Sequence, residues 1–177
     1  FLATQTPGGS AYVIGETGLT NALYEKGSSF NNVNPDYVVV GETPDYSFDK
    51  IALAINLVLK GAKLIGTNPD LTGPGERGVE PATKALISPI ELATGRTAYF
   101  IGKPNPLIMR HALRKLGHPR EDTVIIGDRM DTDIIAGVES EIETILVLTG
   151  VTTRDELVRF PYQPTHVLES VGEIAPE

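Results

Sequence analysis

The sequence predicts an α/β protein built on parallel sheet, and three observations carry that prediction. Six short runs rich in β-branched residues end in or beside glycine: "AYVIGE", "DYVVVGE", "KLIGTNPD", "AYFIGKP", "TVIIGDR" and "ILVLTG". Segments with helical start and stop signals lie between several of them, as in βα units. The fifth run leads straight into Asp128, Asp131 and Asp133. Ligands of parallel α/β sheets bind beyond the carboxyl ends of the strands, so acids crowded there point to a site.

Taken in order, the opening "FLATQTPGG" reads as the tail of a helix, with neither an initiating Met nor a signal-peptide pattern. The chain is therefore expected to be a piece of something longer. "GLTNALYEKG" (18–27) has a helical pattern, and "SFDKIALAINLVLKG" (47–61) starts at a Ser cap and stops at Gly61. Residues 66–82, "GTNPDLTGPGERGVEPA", form the one long Gly/Pro-rich loop, a length more often functional than idle. The helix-like "PATKALISPIELATG" follows, and a boundary is expected near residues 95–97. This gives a first α/β lobe at 1–96 and a second at 97–177. "NPLIMRHALRKLG" carries Asn105 as cap, Pro106 at the first helical position and Gly117 as stop. "TDIIAGVES" continues from the aspartates as a helix, and "TTRDELVRF" opens on Thr caps backed by acids.

Composition narrows the function classes. The 177 residues carry 15 basic and 23 acidic side chains, a formal charge of −8, which disfavours a nucleic-acid partner. There is no cysteine, so disulfides, thiolate metal sites and cysteine nucleophiles are excluded. His111, His118 and His166 show no ligand pair at helical spacing. No apolar run approaches the ~20 residues of a membrane helix, so no membrane partner is expected.

Carboxylates this close raise one another's pKa unless a cation or a donor sits among them. Asp128 stands at the strand tip, where Gly127 is expected to permit a sharp turn, and Asp131 or Thr132 can cap the next helix. A set of oxygen ligands without His or Cys suits Mg²⁺, which takes one or two carboxylates and keeps several waters. The bland alternative, caps and solvated loop acids, suits Asp131 better than Asp128. Lys103, after "YFIG", is a second strand-tip residue able to neutralise a phosphoryl group, and as such should contribute little to folding. Asn68 and Asp70 in "GTNPD" can hydrogen-bond a polar ligand, although a plain turn explains them equally well. "GPGERG" (73–78) fits G-x-G-x-x-G on paper but lacks the strand before it and the helix after it, so a dinucleotide site is rejected.

Taken together, "GKPNP", "GTNPD" and "VIIGDRMDTDIIAG", with "VVVGE" and "ETILVLTGV" in the same order, resemble the haloacid dehalogenase (HAD)-like phosphatases. The match is to the type IIA, NagD-like or 4-nitrophenylphosphatase branch. That resemblance implies a HAD-like Rossmannoid parallel-sheet core, here incomplete, with a large α/β cap domain at 1–96. It implies a cytoplasmic Mg²⁺-dependent phosphatase acting on a small phosphorylated metabolite through an aspartyl-phosphate, with a homodimer open as its assembly. By position, Lys103 corresponds to the lysine that contacts the phosphoryl group and the nucleophile. Asp128 corresponds to the magnesium ligand, and Asp133 to the second acid that supports the lysine and a metal-bound water. Arg129, Met130, Asp131 and Thr132 match the segment beside bound substrate, with Asn68 and Asp70 on the substrate-facing side of the cap.

The sequence departs from the family pattern in one respect. Neither the D-x-D-G nucleophile motif nor the phosphate-binding Thr/Ser motif occurs in it. The chain alone is therefore expected to be inactive, and the non-enzymatic alternative is a binding or assembly module that keeps the fold.

Overall fold

In the computed structural model, which describes residues 1–76 and 78–174, the chain divides between Gly102 and Lys103 into two units. The first unit, Phe1–Gly102, contains α1 (Leu2–Gln5), β1 (Ser10–Ile14), α2 (Thr17–Glu25), β2 (Ser29–Phe30), β3 (Tyr37–Val40) and α3 (Phe48–Leu59). It continues with β4 (Lys63–Gly66), β5 (Thr72–Gly75), β6 (Gly78–Pro81), α4 (Thr83–Thr94) and β7 (Tyr99–Phe100). Five of these strands form one parallel sheet in the order β2-β1-β3-β4-β7.

β3 shows why an uninterrupted apolar run suits this sheet. All four of its residues are buried, and successive side chains point to opposite faces. Val38 and Val40 pack with Leu57, Ile87 and Ile90 of α3 and α4. Tyr37 and Val39 pack on the other face with Leu2, Leu19 and Leu23 of α1 and α2. Burying a side chain of this size contributes about 1.5–3 kcal/mol, so the central strand anchors both layers.

α3 starts and stops where the sequence signals it. Ser47 accepts a hydrogen bond from the Lys50 N–H at 3.4 Å to cap α3, and Gly61 follows with φ 116°. Three features differ from the sequence-based expectation. The stretch 66–82 contains an antiparallel hairpin, β5 against β6, rather than loop throughout. β2 is an added two-residue edge strand, too short to give a periodic signal. Tyr99–Phe100 pairs with β4, so the "AYF" run belongs to the first unit's sheet and the chain divides only after it.

The second unit, Lys103–Glu177, contains α5 (Pro106–Leu116), β8 (Val124–Gly127), α6 (Ile135–Glu139), β9 (Glu143–Val147) and β10 (His166–Leu168). Its parallel sheet has the order β10-β9-β8. Asn105 caps α5 by accepting from the Leu107 N–H at 2.9 Å, and Gly117 ends it in the left-handed region at φ 72°. Arg114 and Lys115 in its last turn oppose the helix dipole favourably. "TTRDELVRF" does carry the Thr153/Glu156 capping box, but the turn it opens is 3₁₀, Arg154–Arg159.

Two apolar clusters sit against this sheet. Met109, Ala136 and Ile142 form one with Leu113 and Ile125; Met130, Ile134 and Leu146 form the other with Leu157, Phe160 and Tyr162. β8 is an edge strand among the described residues. Its Val124 and Ile126, on the face opposite Ile125, are exposed and border an apolar cavity of about 310 Å³.

Candidate active site

The site is built at the carboxyl end of β8. Between that strand and α6 the chain forms a π-helical turn, Met130–Ile134, before relaxing to α geometry. Such single π turns gather at functional sites, because they re-aim side chains that a regular helix would space differently. The turn carries Asp133 back toward the strand. Asp133 is almost completely buried, accepts from the Lys103 ammonium on Oδ1, and accepts from the Arg129 N–H on Oδ2 at 3.1 Å.

Gly127 is essential to that placement for a reason different from the one the sequence suggests. Its backbone is not in the left-handed region. A Cβ at residue 127 would instead lie 2.2 Å from Asp133 Cγ, so the missing side chain makes room for the carboxyl group. Lys103, expected to contribute little to folding, is ion-paired to Asp133. Its ammonium neutralises a buried carboxylate, and removing one partner of such a pair leaves the other uncompensated.

Asp128 is half-buried and held by the chain that follows β9. Its Oδ2 accepts from the Val151 N–H at 2.8 Å, and its backbone carbonyl accepts from the Thr152 N–H at 3.0 Å. Oδ1 takes no hydrogen bond from a described residue. No group of three or more His, Cys, Asp or Glu side chains able to hold a metal occurs among the described residues. A single strand-tip carboxylate with one oxygen held and one directed elsewhere still fits Mg²⁺, which completes its shell mainly with water.

Arg129 and Asp131 form a two-bonded pair, Nε to Oδ1 at 3.0 Å and Nη2 to Oδ2 at 2.9 Å. Hydrogen bonding from Arg129 is the main reason the Asp131 carboxyl lies below the usual range; partial burial opposes it. Asp131 therefore serves Arg129 and is not a helix cap, since the turn has no side-chain cap bond. Met130 is fully buried in the second cluster, and Thr132 is buried too. The Met130 N–H donates to Thr152 Oγ1 at 3.1 Å and its carbonyl accepts from Tyr162 Oη at 3.0 Å. These contacts make Met130 an anchor of the turn.

Lys103, Asp128, Arg129, Met130, Asp131, Thr132 and Asp133 thus all belong to the second unit. Asn68 and Asp70 belong to the first, after β4. Asn68 Nδ2 donates to Glu42 Oε1 at 2.8 Å, and its Oδ1 accepts from the Asp70 N–H at 3.1 Å, an Asx turn that fixes the loop. The sequence reading missed Gly150, Val151, Thr152 and Tyr162. The available signal was "LTGVTT", a Gly/Thr loop immediately after a buried strand.

Comparisons with known proteins show the family of the chain. A family model described as HAD-hydrolase-like matches residues 100–174. The chain is 50% identical over 175 residues to dihydroxyacetone phosphatase of Corynebacterium glutamicum (strain R), covering 99% of this chain and 64% of that protein. It is 46% identical over 167 residues to ribonucleotide monophosphatase NagD of Escherichia coli (strain K12), covering 94% of this chain and 66% of NagD. The chain therefore spans just under two thirds of the length of these two relatives. The solved structure of NagD from E. coli K-12 superposes with a TM-score of 0.89 at 43% identity, covering 98% of this chain and 68% of that one. The α/β fold, the strand-tip aspartates and these relatives together place the chain in the HAD-like hydrolases, in their NagD-like branch.

Proposed function

We propose that the protein containing this chain is a cytoplasmic Mg²⁺-dependent phosphatase of small phosphate monoesters. The observation that carries the reading is the Lys103–Asp133 pair, formed beside Asp128 at the end of one parallel strand. The names of the relatives, dihydroxyacetone phosphatase and ribonucleotide monophosphatase, support it. No helix among the described residues is long and apolar enough to cross a membrane.

In this reading Lys103 faces the phosphoryl group with a positive charge, and Asp133 holds its ammonium in place. Asp128 holds Mg²⁺, which when bound supplies further positive charge for the phosphoryl oxygens. Residues 129–132 flank the substrate through their backbone and the Arg129–Asp131 pair. Preorganised charge at the reacting group is usually the largest catalytic contribution, which suits a site whose charges are fixed by hydrogen bonds. The first unit acts as the cap, and Asn68 and Asp70 help select the leaving alcohol. Turnover through an aspartyl-phosphate needs the D-x-D-G nucleophile, absent from residues 1–177. Among the described residues β8 is an edge strand, which suits the strand that would carry it.

The test is hydrolysis by the full-length protein of 4-nitrophenyl phosphate and a panel of sugar phosphates and nucleotides, with Mg²⁺ or with EDTA. Phosphate release that requires Mg²⁺ is expected. A folded full-length protein that releases none from any ester contradicts the reading.

A further inference from the structure

The residues that follow β9 hold the strand-tip site at four points. Val151 N–H donates to Asp128 Oδ2 at 2.8 Å, and Thr152 N–H donates to the Asp128 carbonyl at 3.0 Å. Thr152 Oγ1 accepts from the Met130 N–H at 3.1 Å, and Tyr162 Oη donates to the Met130 carbonyl at 3.0 Å. The backbone on both sides of Arg129 is thereby fixed. The carboxylate itself is seated against Gly150, where a Cβ would lie 1.9 Å from Asp128 Oδ2.

Thr152 is the centre of this arrangement. It is only 6% exposed, and it meets the strand-tip loop through both its N–H and its hydroxyl. Tyr162 belongs to the apolar cluster of Met130, Ile134 and Leu146, so that cluster connects directly to the loop. The Met130–Thr152 hydrogen bond is buried, where such a bond is stronger than in water and leaves the loop little freedom.

We propose that Thr152 is a positioning residue for Asp128, setting the direction of Oδ1 toward the cation, with Tyr162 in support. This rests on the reading of Asp128 as the Mg²⁺ ligand. Partners that orient a metal-ligating group typically change metal affinity 10–100-fold when removed. Thr152→Val keeps the shape and the backbone N–H while deleting only the acceptor for Met130. Thr152→Ser restores that acceptor.

The experiment is calorimetric titration of Mg²⁺ into the full-length protein and its variants, with melting temperatures taken in EDTA. Thr152→Val should raise the Mg²⁺ Kd about 10–100-fold. Thr152→Ser should return it to the wild-type value, and excess Mg²⁺ should recover most of kcat in Thr152→Val. A lower melting temperature with an unchanged Kd would mean that Thr152 is merely structural, and would overturn the proposal. Asp128→Asn separates the two readings. Loss of binding in Asp128→Asn with wild-type Kd in Thr152→Val removes the positioning role alone. Wild-type binding in Asp128→Asn removes the Mg²⁺ assignment and the positioning role with it. If Thr152→Val does not fold, Tyr162→Phe carries the comparison: a raised Kd supports the proposal and an unchanged one overturns it.

Discussion

Lys103 and Asp133 are joined across 30 residues of chain, an ammonium shortly before α5 donating to a buried carboxylate in the π turn after β8. The two differ sharply in environment: the lysine side chain is 46% exposed and the aspartate 5%. The buried acid also accepts from the Arg129 N–H, so one carboxylate fixes both the lysine and the backbone beside Asp128.

That relationship makes Lys103 matter for folding as well as for chemistry. Lys103→Met should lower turnover by at least about 100-fold, the scale of losing one charge-stabilising donor. It should also destabilise the protein by about 1–3 kcal/mol, because Asp133 keeps only its backbone partner. Denaturant unfolding beside steady-state kinetics checks both. Unchanged stability would show that the pair is not maintained in solution.

Gly127→Ala provides a steric test of the same carboxylate. The added Cβ, 2.2 Å from Asp133 Cγ, must displace it and break its contacts to Lys103 and Arg129. A cost of about 1–3 kcal/mol is expected, typical of overpacking, together with a kinetic loss close to that of Asp133→Ala. Wild-type kinetics in a folded Gly127→Ala variant would mean that Asp133 tolerates movement.

Much of this was legible in the chain itself, because the informative residues announce themselves locally. Asn105, Pro106 and Gly117 bound α5 as written, and the buried run "YVVV" is the sheet centre. Asp128 stands at the end of an apolar run, so its placement followed from strand periodicity, whereas the run before Lys103 pairs in the first unit's sheet. What escaped depends on how side chains meet in space, near or far along the chain. Gly127 faces Asp133 in space, Asp131 is taken by Arg129, and Thr152 meets Met130 from 22 residues away. The β5–β6 hairpin escaped because its Gly and Pro content reads as loop.

Asp131 should confer a small pH-dependent stability. Hydrogen bonding from Arg129 holds its carboxyl below the usual range, so the folded state binds that proton less tightly than the unfolded state. The contribution is present above the unfolded value of roughly 3.9 and is lost as pH falls through the folded one. Asp131 is more than half exposed, so wild type should exceed Asp131→Asn by only about 0.2–1 kcal/mol near neutrality. Chemical denaturation at several pH values should show that difference vanishing on acidification. A difference that grows toward low pH contradicts the pairing.

Asn68 should affect choice of substrate more than general rate. Its side chain fixes the loop after β4 through Glu42 and the Asp70 N–H, and both contacts lie within the first unit. Asn68→Ala should reorder kcat/KM across a panel of phosphate esters, a change of about 10-fold corresponding to one lost polar contact. Activity on 4-nitrophenyl phosphate should change less. Equal losses on every ester would assign Asn68 to folding of the loop alone.

The most direct test of the central claim is Mg²⁺ titration of Asp128→Asn in the full-length protein, followed by calorimetry and by release of phosphate from 4-nitrophenyl phosphate. Asparagine keeps an acceptor for the Val151 N–H but removes the charge that the cation requires. The account predicts a folded protein with Mg²⁺ binding and Mg²⁺-dependent hydrolysis both abolished. Wild-type affinity with near wild-type turnover at low Mg²⁺ would contradict it.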